Sequence, residues 1–232
     1  MKLILTCEHG GNKVPPQYKD CFHDAEAALD SHRGYDPGAL NLFQDLEVLA
    51  DYGAYCETTR LLVELNRSLH HPQLFSRFTK ALSASGKKEL LELHYFPYRI
   101  KVESKINESI EKGEEILHIS VHSFTPVLDG EVRKTDIGLL FDPSRSGEKE
   151  FCKQFRQRLK ALKPDLVTRF NYPYLGIADG FPTYLRKKFA KGYNGIELEV
   201  NQKFVDDRNR MQEEIKKVLS QALKEVLQKG LI

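Results

Sequence analysis

The 232-residue sequence lacks the long apolar runs that a membrane span requires, because its apolar runs are only as long as a strand. It also lacks an excess of either charge, since the formal net charge is only +2 at pH 7. These two absences argue against a membrane or nucleic-acid partner. The opening stretch, MKLILTC, meets the charged Glu8 too early for a signal peptide and is predicted to be a core strand.

Cysteine is scarce as well, with four residues at positions 7, 21, 56 and 152, and no pair has the spacing C-x-x-C. The absence of this spacing argues against a structural zinc site or a thioredoxin-like motif. Free thiols are typical of a reducing compartment, so we expect a cytoplasmic protein. Cys7 is expected to pack as a small apolar side chain, and a nucleophilic role for it is kept as an alternative.

What the sequence does contain is an alternation of strand and helix patterns, without repeats or a linker. Extended segments are predicted at residues 2–7, 53–58, 61–65, 116–121, 135–141, 164–170 and 194–200. Helices are predicted at residues 24–30, 38–51, 72–92, 98–112, 147–162 and 206–229. The aromatic, turn-rich segment 171–185 is predicted to be a substrate loop. The alternation predicts one α/β domain over residues 1–232, with a mixed, mostly parallel sheet between two helical layers.

Two histidines carry the strongest functional signal. His9 follows the first predicted strand in the loop EHGG, and His122 lies at the end of the strand ILHISV. Because the carboxyl ends of core strands meet at one edge of an α/β sheet, we expect the two imidazoles to lie close together. Imidazole is a common zinc ligand, so they predict a zinc site. His118, deeper in the same strand, is expected to be a buried structural histidine.

A catalytic zinc site needs a third ligand, and Asp36 in SHRGYDPGA is the first candidate. Asp36 is nearly as well explained as the cap of the helix that follows Pro37. Glu8 is a second candidate, although strand alternation directs its side chain away from His9. His32 is a weaker ligand candidate and otherwise a residue that contacts substrate.

Charged residues inside apolar runs supply the remaining candidates. Glu197 and Glu199 lie two apart on one strand, and either one is a candidate base for activating water. Arg67, beside Asn66 at the end of LLVELNRS, is predicted to bind a substrate carboxylate. Arg60 is a candidate for stabilising a developing oxyanion.

Six segments in order resemble the N-formylglutamate amidohydrolase family over nearly the whole chain. They are CEHGGNKVP, SHRGYDPGA, ELNRS, VHSFTPV, DIGLLFDPSR and NGIELEVNQKF. The resemblance implies a phosphorylase/hydrolase-like fold, similar to that of zinc carboxypeptidases. It also implies one zinc ion per chain, a water nucleophile, and a small N-formyl or N-acyl amino acid as substrate, with an acidic amino acid such as glutamate.

By the same resemblance, His9 and His122 are metal ligands, Asn66 and Arg67 hold the substrate carboxylate, and Glu199 is the base. Ser123, next to His122, is expected to contact substrate. Carboxypeptidases carry a glutamate three residues after the first histidine, where this chain has Asn12. The third ligand is therefore Asp36 or Glu8.

Two other functions remain open from the sequence. One is a metal-free hydrolase with Ser123 or Cys7 as nucleophile, although no G-x-S-x-G motif surrounds the serine. The other is a binding protein that keeps the fold and an anion pocket without catalysis. Resistance of activity to chelators would favour the first, and ligand binding without turnover would favour the second.

Overall fold

The computed structural model describes residues 1–228. Six strands form one sheet in the order β2-β1-β3-β8-β6-β7. They are β1 (Lys2–Cys7), β2 (Tyr52–Tyr55), β3 (Ile116–Phe124), β6 (Ile137–Leu140), β7 (Thr168–Phe170) and β8 (Tyr193–Asn201). Strands β2, β1, β3 and β8 run parallel, whereas β6 is antiparallel to β8 and parallel to β7. The predicted mixed, mostly parallel sheet is confirmed.

Helices cover both faces of this sheet. Residues 1–228 contain the helices α1 (Glu26–Leu29), α2 (Ala39–Glu47), α3 (Ala84–Leu90), α4 (Phe96–Glu111), α5 (Ser146–Leu162), α6 (Phe181–Lys188) and α7 (Glu213–Gln228). Apolar residues of α2, α5 and α7 pack on one face, and those of α4 and α6 pack on the other. None of the helices in the described part of the chain is long and apolar enough to cross a membrane.

Strand β3 positions the polar residues of the sheet. It is buried along its whole length, and His118, Ser120 and His122 share one face because side chains two residues apart point the same way. In the parallel register with β8, Ser120 pairs with Glu197 and His122 pairs with Glu199. Polar side chains of neighbouring strands therefore lie side by side, toward the edge where β1, β3 and β8 end.

The prediction of an extended segment at residues 61–65 is wrong, because this stretch forms turns and irregular loop. Its apolar residues are buried in a separate cluster that contains Leu62, Leu65 and Leu74. Burial under loops gives the same run of apolar residues as a buried strand, so the pattern alone cannot distinguish the two.

Three further segment predictions need correction. Residues 72–83 form turns, so the helix predicted at 72–92 begins only with α3, and a π-helical segment, Leu91–Tyr95, connects it to α4. The second part of segment 171–185 is the start of α6, with Pro182 in its first turn, where proline is well tolerated. The last helix begins at Glu213 rather than at 206, and residue 229 lies outside the described residues. A small hairpin, β4 (Val127–Leu128) with β5 (Glu131–Val132), was not predicted.

Candidate active site

A cavity of about 200 Å³ opens where β1, β3 and β8 end. Side chains from the sheet, from the loops that follow β1 and β2, and from segment 171–180 line this cavity. They are His9, Asp36, Arg60, Asn66, Arg67, His122, Ser123, Tyr174, Leu175, Ala178, Asp179, Glu197 and Glu199. The site therefore lies at the edge of the sheet where α/β folds usually bind their ligands.

His9, Asp36 and His122 converge on one point at the bottom of the cavity. Nδ1 of His9 lies 3.2 Å from Oδ2 of Asp36, and Nδ1 of His122 lies 2.8 Å from the same oxygen. The ligand atoms of the three side chains all lie within 4.8 Å of one another, and all three residues are buried. These two nitrogens and one oxygen form a donor set that could hold a metal ion.

The outer nitrogen of each imidazole faces a carboxylate. Nε2 of His9 is in hydrogen-bond contact with Glu64. Nε2 of His122 lies 2.8 Å from Oγ of Ser120 and 3.3 Å from Oε2 of Glu8. Carboxylates behind the outer nitrogens fix the ring orientation and tautomer of metal-ligating histidines. Both histidines are therefore held with Nδ1 directed at Asp36, as a metal site at that point requires.

Arg60 neutralises the two carboxylates beside His9. Its Nε donates to Oε2 of Glu64 at 2.7 Å, and Nη1 lies 3.2 Å from Oδ1 of Asp36. Burial alone would raise the pKa of both carboxyl groups, but the neighbouring positive charges outweigh burial and hold both pKa values well below their usual range. Asp36 and Glu64 are therefore charged at neutral pH.

The two histidines of β3 have different surroundings. Burial opposes protonation of His122, but its contacts with Asp36 and Glu8 raise its pKa well above the ordinary value. The ring nitrogens of His118 contact hydroxyl groups, with Nε2 2.8 Å from Oγ1 of Thr6 and Nδ1 2.7 Å from Oη of Tyr193. Burial lowers the pKa of His118 to about 4. His118 is buried and fully paired, as expected.

Glu197 and Glu199 both line the cavity, but their partners differ. Oε1 of Glu197 accepts a hydrogen bond of 3.0 Å from Nδ2 of Asn66. Within residues 1–228, Oε2 of Glu199 is buried without a hydrogen-bond partner, and burial raises the pKa of this carboxyl group to about 8. At this pKa the carboxyl group of Glu199 is largely protonated at neutral pH, and a positive charge placed beside it would return it to the carboxylate form, whereas the carboxylate of Glu197 is engaged in positioning Asn66.

Asn66 and Arg67 are held in the cavity wall by backbone contacts. Oδ1 of Asn66 accepts from the backbone N–H of Phe181 at 2.6 Å. Nη1 of Arg67 donates to the backbone oxygens of Asn66 and Asp179, at 3.0 and 2.6 Å. Among the described residues, the other guanidinium nitrogens of Arg67 have no hydrogen-bond partner. The buried Arg99 donates to the backbone oxygen of Arg67, which fixes this loop from α4.

Three residues named from the sequence lie outside the central group. His32 is exposed and is not part of the cavity wall. Ser123 lies in the wall, but its hydroxyl donates to the backbone oxygen of Pro37 at 2.6 Å. Cys7 is fully buried, and burial raises the pKa of its thiol well above the ordinary value. Neither the serine nor the cysteine therefore has the features of an activated nucleophile.

Glu8 and Glu64 were not predicted in their observed positions. Glu8 lies behind His122, where it accepts hydrogen bonds from Ser120 and from Tyr98, the latter at 3.1 Å. Glu64 interrupts the apolar run LLVEL, which is the same signal that singled out Glu197 and Glu199. The signal of a charged residue in a buried run therefore identified Glu197 and Glu199, but it was not applied to Glu64.

The N-formylglutamate amidohydrolase family profile matches residues 1–205 of the chain. A search of curated proteins finds no significant match. Solved structures give the fold independently of the profile. Gene product Atu2144 from Agrobacterium tumefaciens aligns with a TM-score of 0.79 at 22% identity, over 98% of this chain and 91% of that protein.

N-formylglutamate amidohydrolase from Ralstonia eutropha JMP134 aligns with a TM-score of 0.66 at 13% identity, over 99% and 95% of the two chains. At these identities the structural similarity establishes the fold alone. A metallo-carboxypeptidase from Burkholderia cenocepacia aligns with a TM-score of only 0.36 at 14% identity, over 98% and 56% of the chains, too low to support a shared site.

Proposed function

This chain belongs to the N-formylglutamate amidohydrolase family, and we propose that it is a zinc-dependent amidohydrolase. Its substrate is an N-formyl or N-acyl derivative of an acidic amino acid, such as N-formylglutamate. The observation that carries the proposal is the convergence of His9, Asp36 and His122 at the bottom of the cavity, with a carboxylate behind each imidazole.

The donor set suits zinc, because catalytic zinc sites use three protein ligands of the histidine and carboxylate types and keep one position open. His9 and His122 would contribute Nδ1 and Asp36 would contribute Oδ2. When bound, the metal lowers the pKa of a water molecule and polarises the amide carbonyl. Glu8 is not needed as a ligand, because it supports His122 from the opposite side of the ring.

Glu199 is the proposed general base. The positive charge of a bound metal ion would lower the pKa of Glu199, and its carboxylate, which lines the cavity, would then accept a proton from the attacking water and deliver it to the leaving nitrogen. Glu197 would act indirectly, through its hydrogen bond to Asn66. The different partners of the two carboxyl groups support Glu199 over Glu197 as the base, a choice that the sequence leaves open.

Asn66 and Arg67 are the proposed contacts of the substrate carboxylate, because a guanidinium binds a carboxylate through two parallel hydrogen bonds. Arg60 lies in the cavity wall and would approach the developing oxyanion. Its contacts with Asp36 and Glu64 give it a second role, which is to hold the carboxylates beside His9 in place. Ser123 and His32 stay candidates for contacts farther from the reacting amide.

Metal content and hydrolysis measured together test this function. Purified protein should contain about one zinc per chain by elemental analysis and should release formate from N-formyl-L-glutamate. His122→Ala should lose both the metal and at least a thousandfold in turnover. His71→Ala is the matched control, because His71 lies in a surface turn and its ring accepts from the backbone of Gln73.

Three results would contradict the proposal. Zinc retained by a folded His122→Ala variant would remove the ligand assignment. Activity that survives exhaustive chelation would favour a metal-free hydrolase. Tight binding of the amino acid without turnover, in the presence of added zinc, would favour a binding protein.

A further inference from the structure

Arg60 and Arg67 line the cavity, Arg133 donates to the lining residue Tyr174, and the three arginines differ in how their charge is compensated. Arg60 is paired with the carboxylates of Asp36 and Glu64. Within residues 1–228, neither Arg67 nor Arg133 forms an ion pair, and their side chains donate only to neutral oxygens. Two uncompensated guanidinium groups beside one cavity favour an anionic ligand.

Arg133 follows the β4–β5 hairpin and is only 9% exposed. Its Nη1 donates to Oη of Tyr174 at 3.2 Å, and its guanidinium carbon lies 5.3 Å from the centre of the Tyr174 ring. The ring of Phe124, two residues beyond His122, lies 5.8 Å from the same carbon. Burying a cation without an ion pair is costly. The buried Arg99 meets this cost by donating to backbone oxygens, whereas the side-chain hydrogen bond of Arg133 goes to a phenol that lines the cavity.

Arg67 and Arg133 contact opposite ends of the segment that forms one wall of the cavity. Arg133 bonds to Tyr174 near the start of segment 171–180, and Arg67 bonds to the backbone oxygen of Asp179 near its end. Both Tyr174 and Asp179 line the cavity. The two guanidinium groups therefore hold opposite ends of this wall segment.

Tyr174 connects the buried Arg133 to the cavity. Tyr174 is 45% exposed and its Oη accepts a hydrogen bond from Nη1 of Arg133, which leaves the phenol O–H able to donate. A phenol polarised by a guanidinium is a suitable donor to a carboxylate, because hydrogen bonds to charged groups are stronger than neutral ones.

We propose that Arg133 and Tyr174 together bind the side-chain carboxylate of the substrate and so determine its specificity, while Arg67 binds the α-carboxylate. The assignment rests on the proposed amidohydrolase function. It predicts that an acidic N-acyl amino acid is preferred over its neutral amide because of this pair, and not because of the metal site.

The test compares N-formyl-L-glutamate with N-formyl-L-glutamine, which has nearly the same shape and the same α-carboxylate but no side-chain charge. Arg133→Met should lower kcat/KM for the glutamate substrate by about ten- to a hundredfold and leave the glutamine substrate nearly unchanged. Tyr174→Phe, at an exposed position that tolerates the change, should give a smaller loss in the same direction.

Arg169→Met is the matched control. Arg169 is exposed on β7 and lies 5.3 Å from the ring of Tyr172, in the same segment as Tyr174. Arg169→Met should leave kcat/KM unchanged for both the glutamate and the glutamine substrate. Equal losses for the two substrates in Arg133→Met and in Tyr174→Phe would overturn the proposal, because a structural role affects both substrates alike.

Failure of the proposed function has a different signature. If wild-type protein hydrolyses neither substrate, calorimetry with glutarate and with butyrate still tests the pair. Weaker binding of glutarate alone by Arg133→Met or Tyr174→Phe would support the second carboxylate site. Unchanged binding of glutarate by both variants would overturn it.

Discussion

The middle and the carboxyl end of strand β3 present the same side chain in two chemical settings. His118 and His122 lie four residues apart on one face of the strand, and both are buried. The middle histidine contacts the hydroxyls of Thr6 and Tyr193, whereas the terminal histidine lies between the carboxylates of Asp36 and Glu8. Both histidines are buried, so the difference between their pKa values comes from the neighbouring groups.

The comparison shows why strand ends carry chemistry in this fold. A residue in the middle of β3 can be reached only from the adjacent strands and the covering helices. A residue at the end is also reached by the loops that follow β1 and β2, which bring Asp36 and Asn66 to His122. Loops can supply charged groups that would be too costly to bury inside the sheet.

The largest expected effect concerns the paired positions of β8. Glu199, opposite His122 near the strand end, should be essential for proton transfer, so Glu199→Gln should lower kcat by about 10²–10⁴-fold with metal content unchanged. Glu197, opposite Ser120, supports Asn66, so Glu197→Gln should cost only about tenfold. Steady-state kinetics of both variants measure these losses. A larger loss of kcat in Glu197→Gln than in Glu199→Gln would reverse the two assignments.

An intermediate effect is expected at the carboxylate behind His9. Glu64→Gln keeps the shape but removes the charge, so zinc affinity should fall by about ten- to a hundredfold, measured by competition with a chelator. Glu57→Gln is the matched control, because Glu57 is a partly exposed partner of Lys13. An affinity equal to wild type in Glu64→Gln would mean that the ring of His9 is positioned by packing alone.

The sequence predicted the sheet well because its strands are continuous apolar runs with turn residues at their ends. The same rule failed at Leu62 and Leu65, where an apolar run is buried under loops instead of in the sheet. It also failed at α6, because turn residues and aromatic residues before Phe181 obscured a short helix. Apolar patterns report burial, and burial alone does not specify the element.

The residues of the cavity could be named from the sequence more reliably than their partners. His9, Asp36 and His122 follow strand or loop signals that are visible in the sequence, and the structure brings them together. Arg133 and Tyr174 belong to segments that are distant in sequence and meet only in the folded chain. The choice between Glu197 and Glu199 likewise depends on a contact with Asn66 that no local pattern encodes.

The smallest effect is expected at His118, and it should appear in stability and not in metal binding. Its pKa of about 4 in the folded protein lies below the ordinary value of 6.5 because burial disfavours the charged ring. The unfolded chain therefore binds more protons between these values, so the stability contributed by neutral His118 is present above pH 6.5 and is lost as the pH falls toward 4.

His118→Gln should lower the free energy of unfolding by about 1–3 kcal/mol at pH 7. That penalty should shrink by about 2 kcal/mol at pH 5, because the variant has no ring to protonate. Urea unfolding of both proteins without metal, at each pH, measures the difference. A penalty that is independent of pH would show that His118 is not held neutral, and the contrast between the two ends of β3 would then rest on geometry alone.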